Sequence, residues 1–118
     1  MEGIRLMAKY TLAFTADASL QKVCTVNRNK NQEWFANSFV YGTFGGGTMT
    51  LFVSPDGGTT KIALKDSIAG TAISVATTAA MNSIRLGCGD NNTDNLIIYA
   101  TLSGSTNPAL TVAIFDNL

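Results

Sequence analysis

From Tyr10 to Ile114, apolar side chains return at every second position in one segment after another, a period that fits β-strands and no other regular element. Tyr10, Leu12 and Phe14 share one face of a first strand, and Val23–Val26 make a weaker second. A polar loop, Asn27–Glu33, leads to Trp34 and Phe35; Phe39–Phe44 is aromatic and β-branched, hence strand-like, until Gly45-Gly46-Gly47 interrupts it. Ile73 and Val75 suggest another strand. The Ala-rich stretch Ala69–Met81 is open to a short helix, which its β-branched Thr71, Ile73, Val75, Thr77 and Thr78 oppose. Ile84, Leu86 and Cys88 alternate next, then Leu96, Ile98, Ala100 and Leu102 on a long strand turned by Gly104–Pro108, and finally Leu110, Val112 and Ile114. About eight short strands, separated by turns roughly every 8–12 residues, predict an all-β antiparallel sandwich or jelly-roll with no helix longer than about two turns.

The most explicit unit is a hairpin. Met49, Leu51 and Val53 alternate with Thr48, Thr50 and Phe52 before Ser54-Pro55-Asp56-Gly57-Gly58-Thr59. Pro55 presets φ for the first corner, Asp56 can bond the backbone ahead of it, and Gly57 and Gly58 accept positive φ. With Ser54 facing Thr59, residues 48–54 and 59–65 pair so that Leu51 meets Ile62 and Met49 meets Leu64, with Phe52 beside Lys61.

At 118 residues the chain supports one core, so the expected organisation is an N-terminal arm or extension, 1–8, and a single sandwich domain, 9–118. Met7 reads as an alternative start. Only 14% of residues are charged and the net charge is zero, against 46% hydrophobic. That balance excludes a disordered chain, and its scattered Lys and Arg make no stripe for nucleic acid. A near-neutral surface keeps copies apart poorly, as expected for a protein that works inside an assembly. No run reaches the ~20 apolar residues of a membrane helix, and residues 1–7 lack the pattern of a secretory signal.

Catalysis has little to work with. The chain has no His, the commonest general base and metal ligand. Asp17, Asp56, Asp66, Asp90, Asp94 and Asp116 are read mostly as turn residues, and no pair is nominated for acid–base work. No enzyme activity and no cofactor are expected. Gly45–Gly47 lacks the following Lys and helix of a phosphate loop, so it is read as a bend. Asp90–Asn95 spaces oxygen ligands as a calcium loop does, but lacks the Gly and closing Glu of an EF-hand; it is read as a hairpin loop without metal. Cys24, Trp34 and Cys88 resemble the immunoglobulin Cys…Trp…Cys spacing. Leu86 stands where the tyrosine corner needs Tyr, so the two cysteines are read as buried, reduced thiols. Trp34 is expected in the core; the alternative is a stacking platform of Trp34, Phe35 and Tyr41.

Tyr41 to Leu64, with its glycine-rich lead-in, strand, Ser-Pro-Asp-Gly-Gly-Thr-Thr turn and return strand, resembles small bacteriophage virion proteins, many of them head-decoration or other capsid-associated β-sandwich proteins. Lys61 departs from that pattern, which usually has an aromatic there. The resemblance implies a non-enzymatic protein, made in the host cytoplasm and incorporated in the virion, that binds the major capsid protein lattice as a monomer, dimer or trimer and stabilises it. It brings no catalytic residues. Met1, Ile4, Leu6, Met7, Tyr10, Trp34 and Phe35 are the candidate partner contacts, and Pro55, Asp56, Gly57 and Gly58 the structural turn. The rival readings are a tail or fibre adaptor and a carbohydrate-binding or adhesion module.

Overall fold

The computed structural model describes residues 8–26, 33–86 and 96–116. Among them nine strands form: β1 (Ala8–Phe14), β2 (Ala18–Thr25), β3 (Trp34–Thr43), β4 (Thr48–Ser54), β5 (Ile62–Ala63), β6 (Ser74–Ala76), β7 (Ala80–Leu86), β8 (Ile97–Ser103) and β9 (Ala109–Asp116). Their pairing is that of one long antiparallel ribbon rolled on itself. β1 pairs with β9, β2 with β8, β3 with β7, and at the tip β4 pairs with both β5 and β6. Rolling brings β9 beside β3 and β8 beside β4. Two antiparallel sheets result, sheet A in the order β1-β9-β3-β7 and sheet B in the order β2-β8-β4-β5, with β6 also on β4. This is the jelly-roll arrangement. Among the described residues no helix is long and apolar enough to cross a membrane.

The alternation does what a period of two requires: every second side chain enters the space between the sheets. Trp34, Ala36 and Val40 enter from β3, Met49 and Leu51 from β4, Ile98, Ala100 and Leu102 from β8, and Leu110, Val112 and Ile114 from β9, all buried. Phe14, Cys24, Ile84 and Val75 complete the layer. At the end of β3, Gly42 has φ +121° and lies so close to β9 that a Cβ would stand 2.2 Å from the Ala109 carbonyl oxygen. Only glycine fits there.

Three expectations are corrected. The second strand is longer than Val23–Val26, because two register shifts along β2 break its alternation and hide the first half from pattern reading. Trp34 and Phe35 do not precede a separate strand; β3 is continuous through them. In the hairpin, Val53 pairs with Ile62 and Phe52 with Ala63, a register two residues from the one expected, so Lys61 does not sit opposite Phe52. A shift of two preserves the faces, and buried Leu64 donates its N–H to Leu51 O at 3.0 Å. The return strand is also split. Met49 meets Val75 of β6 rather than Leu64, and the chain between β5 and β6 leaves the sheet as a loop.

The longer turn explains the shift. Ser54 Oγ, fully buried, accepts from Gly58 N at 2.7 Å and donates to Asp56 Oδ1 at 2.9 Å; the same Oδ1 accepts from Thr60 N at 2.8 Å. These bonds close the seven-residue loop 55–61, so pairing resumes only beyond Lys61. Gly57 and Gly58 have φ of 78° and 112°, as the turn chemistry requires. Asp66 organises the loop between β5 and β6 in the same manner. Its Oδ1 accepts from Ile68 N and Ala69 N, and its Oδ2 accepts from Asn82 Nδ2 at 2.8 Å and Ser83 N at 3.2 Å on β7. Asp17 ties the β1–β2 turn to the β8–β9 turn by accepting from Gly104 N and Ser105 N. These three carboxylates are turn residues, as the sequence suggests, and their hydrogen bonds hold all three below the usual carboxylate range, Asp56 and Asp66 at about 2.

Candidate interaction surface

On a strand, neighbours in sequence point to opposite sides of the sheet, so β3 carries two sets of side chains. Trp34, Ala36, Ser38 and Val40 point inward; Phe35, Asn37, Phe39 and Tyr41 point outward. Trp34 is wholly buried, which bears out its core placement and removes it from any surface contact. A platform of Trp34, Phe35 and Tyr41 is therefore excluded: one of the three lies on the wrong side of the sheet. Tyr10 also faces inward, half-buried against the core.

The outward face of sheet A is apolar across three strands, with aromatics on β3 and β9 and a methionine on β7. Phe35 and Tyr41 are 43% and 44% exposed, and Met81 of β7, paired with Phe39, is 60% exposed. The Phe39 ring meets Phe115 of β9 edge-on, with centroids 5.4 Å apart. Cations rim the apolar stripe. Lys9 Nζ stands 5.3 Å from the centroid of Phe115, and the Arg85 guanidinium lies 5.4 Å from that of Phe35 while pairing with Glu33 at 2.7 Å. Phe39, Met81 and Phe115 are absent from the sequence-derived contacts; their odd–even agreement with Phe35 along β3, and the pairing of β3 with β7 and β9, are what reveal them.

Sheet B presents a different outer face. Thr48 and Thr50 of β4 and Thr101 of β8 cover one half, while Phe52 pairs with Tyr99 on the other, all half-buried. Lys61 Nζ lies 5.3 Å from the Tyr99 ring centroid and shields it.

Inside, where β9 ends, Asp116 is fully buried, and neither carboxylate oxygen has a hydrogen-bond partner. The Trp34 indole N–H also lacks a partner; it is near enough to favour the charged carboxylate without reaching hydrogen-bonding geometry. Burial dominates and pushes the Asp116 carboxyl up. Asp116 is thus the last residue of β9, on the ordered strand expected over 110–118, and is the exception to the turn placement of most of the aspartates. Tyr10 is raised by its own burial and then by the Asp116 charge, and Cys24 is pushed up to about 12, first by burial and then by the same charge. Cys24 is a free, buried thiol with no nucleophilic character at neutral pH. Met1, Ile4, Leu6 and Met7, Cys88 and the Asp90–Asn95 loop lie outside the described residues. Gly45–Gly47 forms a tight turn, with Gly47 N donating to Phe44 O at 2.9 Å, and is the bend expected of it.

No family model matches the chain, and no curated protein matches it in sequence. Among the solved structures that resemble it are the following two. A chain of Bacillus endospore appendages, described as disulfide-linked pili, aligns over 96% of this chain and 88% of its own at 18% identity, with a TM-score of 0.43, too loose to support an argument. The SPBc2 prophage-derived protein YomS aligns over 97% of both chains at 12% identity, with a TM-score of 0.58. At that identity the likeness concerns architecture: the chain shares its fold, end to end, with a protein of prophage origin.

Proposed function

We propose that this protein is a non-enzymatic structural component of a bacteriophage particle, which binds the assembled capsid lattice through the outer face of sheet A and stabilises it. The exposed aromatic stripe from Phe35 to Tyr41, flanked by Met81, is the observation that carries this reading. Contiguous apolar surface on a folded domain marks a place where another macromolecule sits. Burying each such side chain is worth about 1.5–3 kcal/mol before the costs of association. A ligand that binds only the assembled lattice stabilises it by mass action, and more strongly when it bridges subunits.

The Ser54–Thr60 turn resembling virion proteins, the prophage origin of a protein with the same architecture and the low charge all favour a particle component. Jelly rolls also serve as lectins, so the fold does not choose between shell and sugar. Phe35 and Tyr41 on one face keep the carbohydrate reading as the second one. A tail or fibre adaptor would use the same face against a different ring of subunits.

The test is co-sedimentation of the purified full-length chain with shells that lack it, alongside retention on polysaccharide columns. Binding to shells that weakens strongly in the Phe35→Ser/Tyr41→Ser double variant supports the proposal. Retention on polysaccharide, lost in that variant and without shell binding, replaces it with the sugar-binding module. A chain starting at Met7, run in parallel, reports whether the first six residues contribute.

A further inference from the structure

A two-sheet sandwich has four edge strands, and an unprotected edge is a template for another chain. Here the edges are β1 and β7 in sheet A, and β2 and the β5/β6 pair in sheet B. Three are blocked by identifiable devices. β7 is covered by the loop between β5 and β6: Ser67 N donates to Ser83 O at 2.8 Å, and Ser83 N donates to Asp66 Oδ2. β2 is kinked by its two register shifts, with Leu20 at φ 50°. β5 and β6 are two and three residues long, too short to template a partner. Among the described residues nothing of this kind protects β1. It runs seven residues in unbroken register against β9, and among the described residues its other edge makes no hydrogen bond. A pocket lined by residues 12–18 and Gln21 lies at its C-terminal end, around the β1–β2 turn.

We propose that β1 pairs antiparallel with β1 of a second copy of this chain, across a two-fold axis at Thr11, joining the two A sheets into one continuous sheet. The sequence of the strand selects this occupant and this register. In a continuous sheet, paired residues must face the same side, so only registers centred on a residue are allowed, and the one centred on Thr11 overlaps all of β1. It sets Tyr10 against the second copy's Leu12 on the inner side. On the outer side it sets Lys9, the single charge of the strand, against the second copy's Ala13 and not against itself. An isologous pair of this kind closes as a dimer. It also places two aromatic faces side by side, doubling the apolar surface available to a lattice. The pairing rests on the edge alone and holds whether or not the protein binds a shell.

Because Thr11 is exposed and stands on the axis, one substitution puts two like charges directly opposite each other. Sedimentation velocity of the full chain should show a reversible dimer. Thr11→Lys and Thr11→Glu should each weaken it by about tenfold or more. An equimolar mixture of the two at low salt should recover it as a mixed dimer, which misfolded chains cannot do. A wild-type chain that stays monomeric at all concentrations would overturn the proposal. So would a dimer indifferent to both substitutions, or a mixture that fails to recover pairing.

Discussion

The two outward faces of this molecule are built from the same pleated geometry and end up chemically unlike. On sheet A, Phe35, Tyr41 and Met81 are exposed, with Arg85 standing over the Phe35 ring. On sheet B the one aromatic pair, Phe52 and Tyr99, is half-buried, with Lys61 over the Tyr99 ring, and Thr48, Thr50 and Thr101 continue the face. Sheet A's face keeps its large apolar side chains more exposed than its counterpart does, and it is the face we propose for contact. The sheets differ in backbone as well. Sheet A has unbroken ladders on all its strands, whereas sheet B contains a bulged β2 and a return strand in two pieces. The more regular sheet holds the candidate surface, as a rigid platform should.

The largest effect separates the two sides of β3. Trp34→Ala should cost about 3–5 kcal/mol by emptying the core, whereas Phe35→Ala, one residue on and outside, should cost less than about 1 kcal/mol. Urea denaturation of both variants measures the contrast, and equal losses would mean that the outer face is a folding element. Asp66→Ala should cost about 2–4 kcal/mol, since it strands four donors at the loop and at β7. Faster hydrogen exchange at the Ser83 amide would locate that loss at the β7 edge. Gly57→Val, in the β4–β5 turn of sheet B, should cost about 1–2 kcal/mol because φ there is 78°. A neutral result would mean that the turn rearranges.

The smallest effects are in the response to pH, where the carboxylates act in opposite senses. Asp56 and Asp66 titrate at about 2 in the folded chain, below their unfolded value of about 3.9, so the stability they contribute is present above pH 4 and lost as pH falls towards 2. Asp116 is raised, so its contribution runs the other way: the folded chain favours the neutral acid, and stability is lost as pH rises above about 4. Asp116→Asn should therefore raise Tm at pH 7, with the gain vanishing below about pH 4. An Asn variant that is less stable at pH 7 would mean that the buried charge has an anchoring partner.

Much of the fold is legible in the sequence because its cause is local. Alternation reveals that β1, β4, β8 and β9 are strands, and the Pro55–Gly58 turn chemistry reveals the tip of the ribbon. What escapes has non-local causes. The bulges of β2 erase the period they interrupt. The division between β5 and β6 depends on Asp66 reaching Asn82 and Ser83, sixteen and seventeen positions away. Asp116 is legible as part of a last strand, but its full burial shows only once β9 is seen to carry it into the core. The candidate surface was half legible. Phe35 and Tyr41 share parity along β3, but so much of that strand is apolar on both sides that hydrophobicity alone does not say which set is inside. Trp34 resolves it only once it is seen to be buried.

The central claim is that sheet A's outer face, and not sheet B's, meets the lattice. Two double variants, Phe35→Ser/Tyr41→Ser on sheet A and Thr50→Lys/Thr101→Lys on sheet B, should be compared for co-sedimentation with shells that lack this protein. The account predicts that the first loses binding by at least about a hundredfold, some 2.7 kcal/mol, while the second binds like the unaltered chain. Lost binding in the sheet B variant, with sheet A's substitutions tolerated, would contradict it.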